Sequence, residues 1–200
     1  NKAAYINENG QLITNDYDDK GVGGDISRYL FGEKNNFGAY QELGKIRLRE
    51  GNEMQTVQNP YTDRDGDSPE TIGKIFDGTG NGKWFNNITP TPQSPTVITW
   101  NYNQPVTVDS YRVRTANDME QRDPVSWELQ GSAAAQGPWT AIHTVTDGQL
   151  PSGRNEAKVF EISNPGAYQY YRLEIKTCKG TTYGCQLNEF YPIGDFNGNA

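Results

Sequence analysis

Cysteine and histidine are almost missing from this chain, with 2 Cys and 1 His in 200 residues. So few soft ligands make a zinc site untenable. No stretch approaches the roughly 20 apolar residues of a membrane span. There is no basic run either, and the net charge is -7, so a nucleic-acid backbone finds nothing to grip. No nucleophile elbow occurs, and the single His143 lies in the strand-like WTAIHTV, where packing or an exposed strand face explains it better than catalysis. Acid pairs for a hydrolase could be drawn from 25 acidic residues, but at that number such pairs arise by chance. The expectation is a binding protein, not an enzyme.

What the chain does have is flat apolar bulk and many turns. Hydrophobic residues are only 34%, yet 12 Tyr, 4 Trp and 7 Phe supply large faces, and 22 Gly and 11 Pro suit short strands better than long helices. Alternation with period two picks out VITW (97–100), VDSYRVRT (108–115), SWELQGS (126–132), WTAIHTV (139–145), AKVFEI (157–162), YYRLEIKT (170–177) and QLNEFYPI (186–193). TIGKIF (71–76) reads as one short helical turn, and NPYTDRDGDSPE (59–70) as a turn-rich connection. Short strands at this spacing predict an all-β fold, an antiparallel β-sandwich or jelly roll. Trp127 and Trp139 fall at core positions of their strands.

If successive strands run up and down, their connections sort onto two ends. Short turns at 101–104, 133–137 and 163–168 share one end. The long connections 116–124, 146–156 and 178–185 share the other, with 86–95. A binding surface belongs on the long-loop end, since loops vary while the sandwich fixes their bases. CKGTTYGC (178–185) suggests a disulfide, Cys178 to Cys185, holding that loop in shape, with two free thiols as the alternative. The chain starts at Asn1 with no Met and no signal segment, as a processed secretory protein does, and a secreted, extracellular location is expected.

The run YRVRTANDMEQRDPVSWELQGS (111–132), followed by WTAI (139–142), YYRLEI (170–175) and CQLNEFYPIG (185–194), resembles the discoidin family, also called coagulation factor 5/8 type C. That family overlaps with carbohydrate-binding module family 32. FDGTGNGKWF (76–85) resembles its calcium-proximal loop. The resemblance covers about residues 70–194 and implies a galactose-binding-like jelly roll; with LGKIRLREGNEMQTV (43–57) expected as its first strand, the domain is 43–194. Residues 1–42 are then an N-terminal extension of open structure and 195–200 a tail. A non-catalytic, lectin-like role toward galactose-type sugars is implied. The alternatives are an extracellular adhesion module binding protein or phospholipid, or a glycan-active enzyme. Polar loops and negative charge argue against membrane insertion. Avidity through oligomers or neighbouring domains fits a weak single site.

The same resemblance implies a structural Ca2+. Asp77 lies in a glycine-rich loop whose carbonyls can turn inward. Glu189 is the second carboxylate, backbone oxygens near Lys74 and Gly82 complete the shell, and Thr79 and Asn81 are further donors. Thr79 and Gly82 depart from the family's usual residues, Asp or Asn and Ser or Thr. Asp63, Asp65, Asp67 and Glu70 have the opening spacing of a calcium loop but lack its Gly and its closing Glu, and read as a solvated acidic turn. For the sugar, Asn117, Asp118 and Arg122 suit paired hydroxyls, with Arg154 and Asn155 alongside. Bracing of the loop by Arg122 and Asp123 is the competing role. Tyr183 is the expected aromatic platform, with Trp84 as a further candidate that also fits the core. Asn87-Ile88-Thr89 is a glycosylation sequon.

Overall fold

The computed structural model describes residues 57–195, together with the backbone of Tyr5–Ile6 and Leu12–Ile13. The chain divides into two compact units, 1–50 and 51–200. In the first, β1 (Tyr5–Ile6) pairs antiparallel with β2 (Leu12–Ile13). The strand expected from 43–57 and the readings of 1–42 and of the tail after 195 lie outside the described residues.

The second unit is all-β, as the alternation predicts. Its strands are β3 (Gln58–Tyr61), β4 (Trp84–Asn86), β5 (Thr96–Arg114), β6 (Pro124–Ser132), β7 (Thr140–Val145), β8 (Ala157–Glu161), β9 (Ala167–Cys178), β10 (Cys185–Leu187) and β11 (Glu189–Asp195). All pairings are antiparallel. The main sheet runs β11-β5-β9-β6-β7, with β3 and β8 also on β5, while β4 pairs β10 apart from it.

β5 explains how one sheet folds over itself. Thr96–Asn101 pairs with β9, as do Val106 and Thr107, whereas Thr107–Arg114 pairs with β11 and Ser110–Arg114 with β8. The segment expected to be a turn at 101–104 is therefore interior to one 19-residue strand. Register slips between Asn101 and Val106, where the exposed Pro105 has no N–H to give a ladder. A bulge there lets the strand pass from one layer to the other. β3, inside the expected turn-rich connection, pairs with β5 at Asn101 and Thr99.

Aromatic side chains fill the space between the layers. Trp100 lies 5.3 Å from Phe190 and 5.9 Å from Tyr171, stacked on the latter. Tyr111 stacks on Phe160 at 5.4 Å and Phe190 at 5.0 Å, and its hydroxyl accepts from Trp127 Nε1 at 2.9 Å. Buried ring polar groups thus find partners, as low-polarity surroundings require. The short helical turn expected at 71–76 is a 3-10 helix, Ile72–Phe76, whose Ile72, Ile75 and Phe76 join this core.

Two side chains correct the reading of the sequence. Trp139 is only half-buried, just before β7, with the Arg172 guanidinium 4.7 Å over its ring. β7 is the edge of the sheet, so its start has one face to cover. Trp84 is completely buried and donates from Nε1 to Arg64 O at 3.0 Å, which removes it from any sugar-facing set. Asp65 closes its own turn: Oδ1 accepts from Gly66 N and from Ile72 N, capping the 3-10 helix.

Candidate functional site: an amide-lined cleft among the long loops

The long connections do gather. Arg154 Nη1 donates to Asp118 O at 2.9 Å, Asn155 N to Ala116 O at 3.1 Å, and Gly180 N to Gln121 O at 2.7 Å. Gly184 N donates to Thr89 Oγ1 at 2.7 Å, drawing in the 86–95 connection. The loops are fixed by charge as well as backbone. Asp123 is fully buried and takes two hydrogen bonds from Arg154, at 2.6 and 3.2 Å. Burial pushes its carboxyl up, and the bonds from Arg154 offset only part of that. Arg154, expected to face sugar, is thus a brace, and Asp123 pairs with it and not with Arg122.

Arg122 braces too. Its Nε donates to Tyr183 O at 3.1 Å and its guanidinium lies 4.1 Å over the Phe85 ring. Asp118 Oδ1 accepts from Lys83 Nζ at 2.7 Å, and Lys83 Nζ also donates to Gln186 Oε1 at 3.1 Å. Burial alone raises the Asp118 carboxyl, but Lys83, Gln186 and Arg122 together leave it below its ordinary value. Lys83, Gln186 and Asn188 were not singled out from sequence. The available signal was polarity inside apolar runs, GKWF and QLNEF.

Between these loops lies a cleft of about 560 Å³, bordered by Lys74, Asn81, Lys83, Asn117, Asn155 and Asn188. It unites residues expected in two separate places: Asn117 and Asn155 as sugar ligands, Lys74, Asn81 and Gly82 around a metal. Asn188 is 3% exposed, and its Nδ2 donates to Gly80 O at 3.0 Å and to Asn155 Oδ1 at 3.1 Å. Its Oδ1 has no hydrogen-bond partner. A buried acceptor left unmade costs about 1–3 kcal/mol, and this one belongs to a residue that borders the cleft. Asn155 stands at φ 61°, a left-handed conformation of the kind found at ligand clamps. Asn117 is exposed on the rim.

Tyr183 is 48% exposed but does not border the cleft. Three hydrogen bonds separate them: Lys83 Nζ and Arg122 Nη1 both donate to Gln186 Oε1, the second at a long 3.5 Å, and Arg122 Nε donates to Tyr183 O. The cysteines at the base of its loop are free thiols, both buried and in contact, so the expected disulfide is not formed in this structure. Burial, then the Cys178 thiol beside it, push the Cys185 thiol well above its ordinary range. That suppresses the thiolate that disulfide exchange requires.

The residues proposed for calcium do not fit such an ion. Asp77 Oδ1 accepts from Thr79 N at 3.0 Å and Thr79 Oγ1 at 2.9 Å, a self-contained turn. Glu189 is 1% exposed, with Oε2 on Arg112 Nη2 at 2.9 Å and Oε1 on Arg114 Nε at 2.8 Å. Both carboxylate oxygens are engaged by guanidinium. No group of three or more His, Cys, Asp or Glu able to hold a metal occurs among the described residues.

No family model matches the chain, and no curated protein matches it either. Solved structures do. A structure of the CBM32-1 and CBM32-2 domains of Clostridium perfringens ZmpB in complex with GalNAc superposes with TM-score 0.63 at 11% identity, over 76% of this chain and 38% of that one. The chain thus spans well under half of that two-domain structure. Chitosan-binding module 1 of a chitosanase/glucanase from Paenibacillus sp. IK-5 gives TM-score 0.51 at 20% identity, over 70% of this chain and 98% of the module. The family 32 module of C. perfringens NanJ, solved with galactose, gives 0.54 at 12% identity, over 70% and 94%. At these identities the likeness is one of fold: the chain carries the β-sandwich of the family 32 modules.

Proposed function

We propose that this chain is a non-catalytic carbohydrate-binding module, acting outside the cell, whose sugar enters the amide-lined cleft. The observation that carries the reading is the convergence of three amides, Asn117, Asn155 and Asn188, on one cleft, the last with a buried Oδ1 that has no hydrogen-bond partner. Amides offer a donor and an acceptor on one planar group, which matches the paired hydroxyls of a sugar ring. Lys74 and Glu70 border the same space and add one donor and one acceptor. The cleft has no aromatic lining, so the hydroxyl edge of the ring is read here. Tyr183, on the adjoining loop, supplies a stacking face for a neighbouring sugar unit. Galactose-type sugars lead the panel of ligands because the ZmpB and NanJ structures with the same fold were solved with GalNAc and galactose.

A glycan array followed by calorimetry tests this directly. Native chain is expected to bind a non-reducing-end sugar weakly, since each hydrogen bond contributes about 0.5–1.5 kcal/mol net. Asn117→Ala, at an exposed position, is expected to weaken that binding about tenfold, or ~1.4 kcal/mol. Release of reducing ends from a polysaccharide panel overturns the non-catalytic reading. Binding to the array that survives both Asn117→Ala and Asn155→Ala moves the site out of the cleft.

A further inference from the structure

The family resemblance implies a calcium ion held by Asp77 and Glu189, which would tie the glycine-rich loop at 77–82 to the start of β11. Here the tie is already made by a side chain. Arg114 Nε holds Glu189 Oε1 at 2.8 Å, and Arg114 Nη1 donates to Asn155 O at 3.1 Å. A Cβ placed on Gly80 would lie 3.7 Å from Arg114 Nε, so the glycine faces the guanidinium with room for one more carbon between them. One planar cation therefore joins the 146–156 loop to β11, and the neighbouring Asn188 amide carries the link on to the glycine loop at Gly80 O. Arg112 takes the second Glu189 oxygen at 2.9 Å. The cross-strand register places Arg114 directly opposite Glu189, with Arg112 two residues away on the same face.

We infer that Arg114 replaces the bound cation, and that the fold of this chain is independent of divalent ions. The electrostatics agree. Both Glu189 carboxylate oxygens are taken by guanidinium groups, which leaves neither oxygen open to a dication. The hydrogen-bond geometry agrees as well: a fork of N–H donors satisfies a carboxylate and a carbonyl at once, where calcium would need six to eight oxygens. Asn188 Nδ2 on Gly80 O completes the seam. Because Asn155 and Asn188 both border the cleft, Arg114 is also a positioning residue for it, without reaching the ligand. The inference stands whether or not the cleft takes a sugar.

Thermal melts of the native chain in calcium and in EDTA test it, with terbium luminescence as a second reading of ion binding. The two melting temperatures are expected to agree within about 1 °C, since only an ion bound to the native state shifts them, and no saturable terbium signal is expected. Arg114→Gln is expected to melt several degrees lower in either condition, with Arg114→Lys recovering part of the loss. A calcium-dependent rise in the native chain that disappears in Glu189→Gln overturns the inference, and this measurement needs no Arg114 variant to fold. An Arg114→Gln chain that melts at the native temperature overturns it equally.

Discussion

Arg154 closes on Asp123 through two hydrogen bonds, Nη2 to Oδ2 at 2.6 Å and Nη1 to Oδ1 at 3.2 Å, around a carboxylate with no solvent exposure. The pair joins the 146–156 connection to the end of the 116–124 connection, and Lys179 N reaches Asp123 O at 2.9 Å from the third. Three loops that border or neighbour the cleft thus depend on one buried charge and its partner. Removing a partner from a buried ion pair leaves an uncompensated charge, which costs far more than the pair is worth.

Arg154→Ala should therefore destabilise the module by about 3 kcal/mol, near the lower end for a broken buried pair, because the arginine itself is part-exposed. Urea denaturation measures it. A loss below about 0.5 kcal/mol, the range of neutral surface changes, would show that water replaces the guanidinium and that the loops do not rest on it.

The sandwich was legible in the sequence because half-buried strands must alternate, as Tyr171–Lys176 and Tyr111–Thr115 do. The gathering of the long loops was legible for a related reason, since antiparallel strands sort their connections onto two ends. Partners were not legible. Glu189 and Arg114 are 75 residues apart, as Glu189 and Asp77 are 112 apart, and nothing local says which cation a carboxylate will meet. Arg122 and Arg154 look alike as loop cations, and only the fold decides that Asp123 belongs to the second. The turn expected at 101–104 failed because Asn and Pro mark bulges in long strands as well as turns between short ones. Trp139 was misplaced for want of the same information, since only the fold shows that β7 is the edge of its sheet.

The cysteines give a second prediction. Both thiols are buried and free, and the Cys185 thiol is held well above its ordinary range. A thiol reagent should find none reactive in the native protein and two per chain after denaturation without reductant. Finding none after denaturation would establish the disulfide that the spacing of CKGTTYGC suggests.

His143 makes a pH prediction of definite sign. Burial lowers its pKa below the ordinary value, and its Nδ1 is hydrogen-bonded to the Tyr111 hydroxyl at 2.8 Å. The unfolded chain takes up the proton near pH 6.5, before the native state does. Stability is therefore full above that pH and falls as the pH drops from there through the folded pKa. His143→Gln should flatten this part of the pH–stability curve, because the chain has 1 His and no other imidazole can contribute. A curve that keeps its slope assigns the loss to carboxylates.

The last prediction separates the two halves of the binding surface. Asn117 borders the cleft, whereas Tyr183 stands on the next loop, linked to the cleft through Arg122, which reaches Gln186 and Asp118. If the cleft reads one sugar ring and the tyrosine stacks against its neighbour, the two substitutions must differ with ligand length. Asn117→Ala should weaken a monosaccharide and an oligosaccharide alike. Tyr183→Ala should leave the monosaccharide untouched and weaken the oligosaccharide about tenfold, an aromatic stack contributing roughly 1.4 kcal/mol. Neither change should move the melting temperature, since Asn117 is exposed and Tyr183 is held by its backbone carbonyl, which any residue supplies. Calorimetry with the monosaccharide, the disaccharide and the trisaccharide of the best array ligand gives the answer. Equal losses from Tyr183→Ala at every length would place the tyrosine against the first ring, and the cleft would then be its neighbour instead of the primary site.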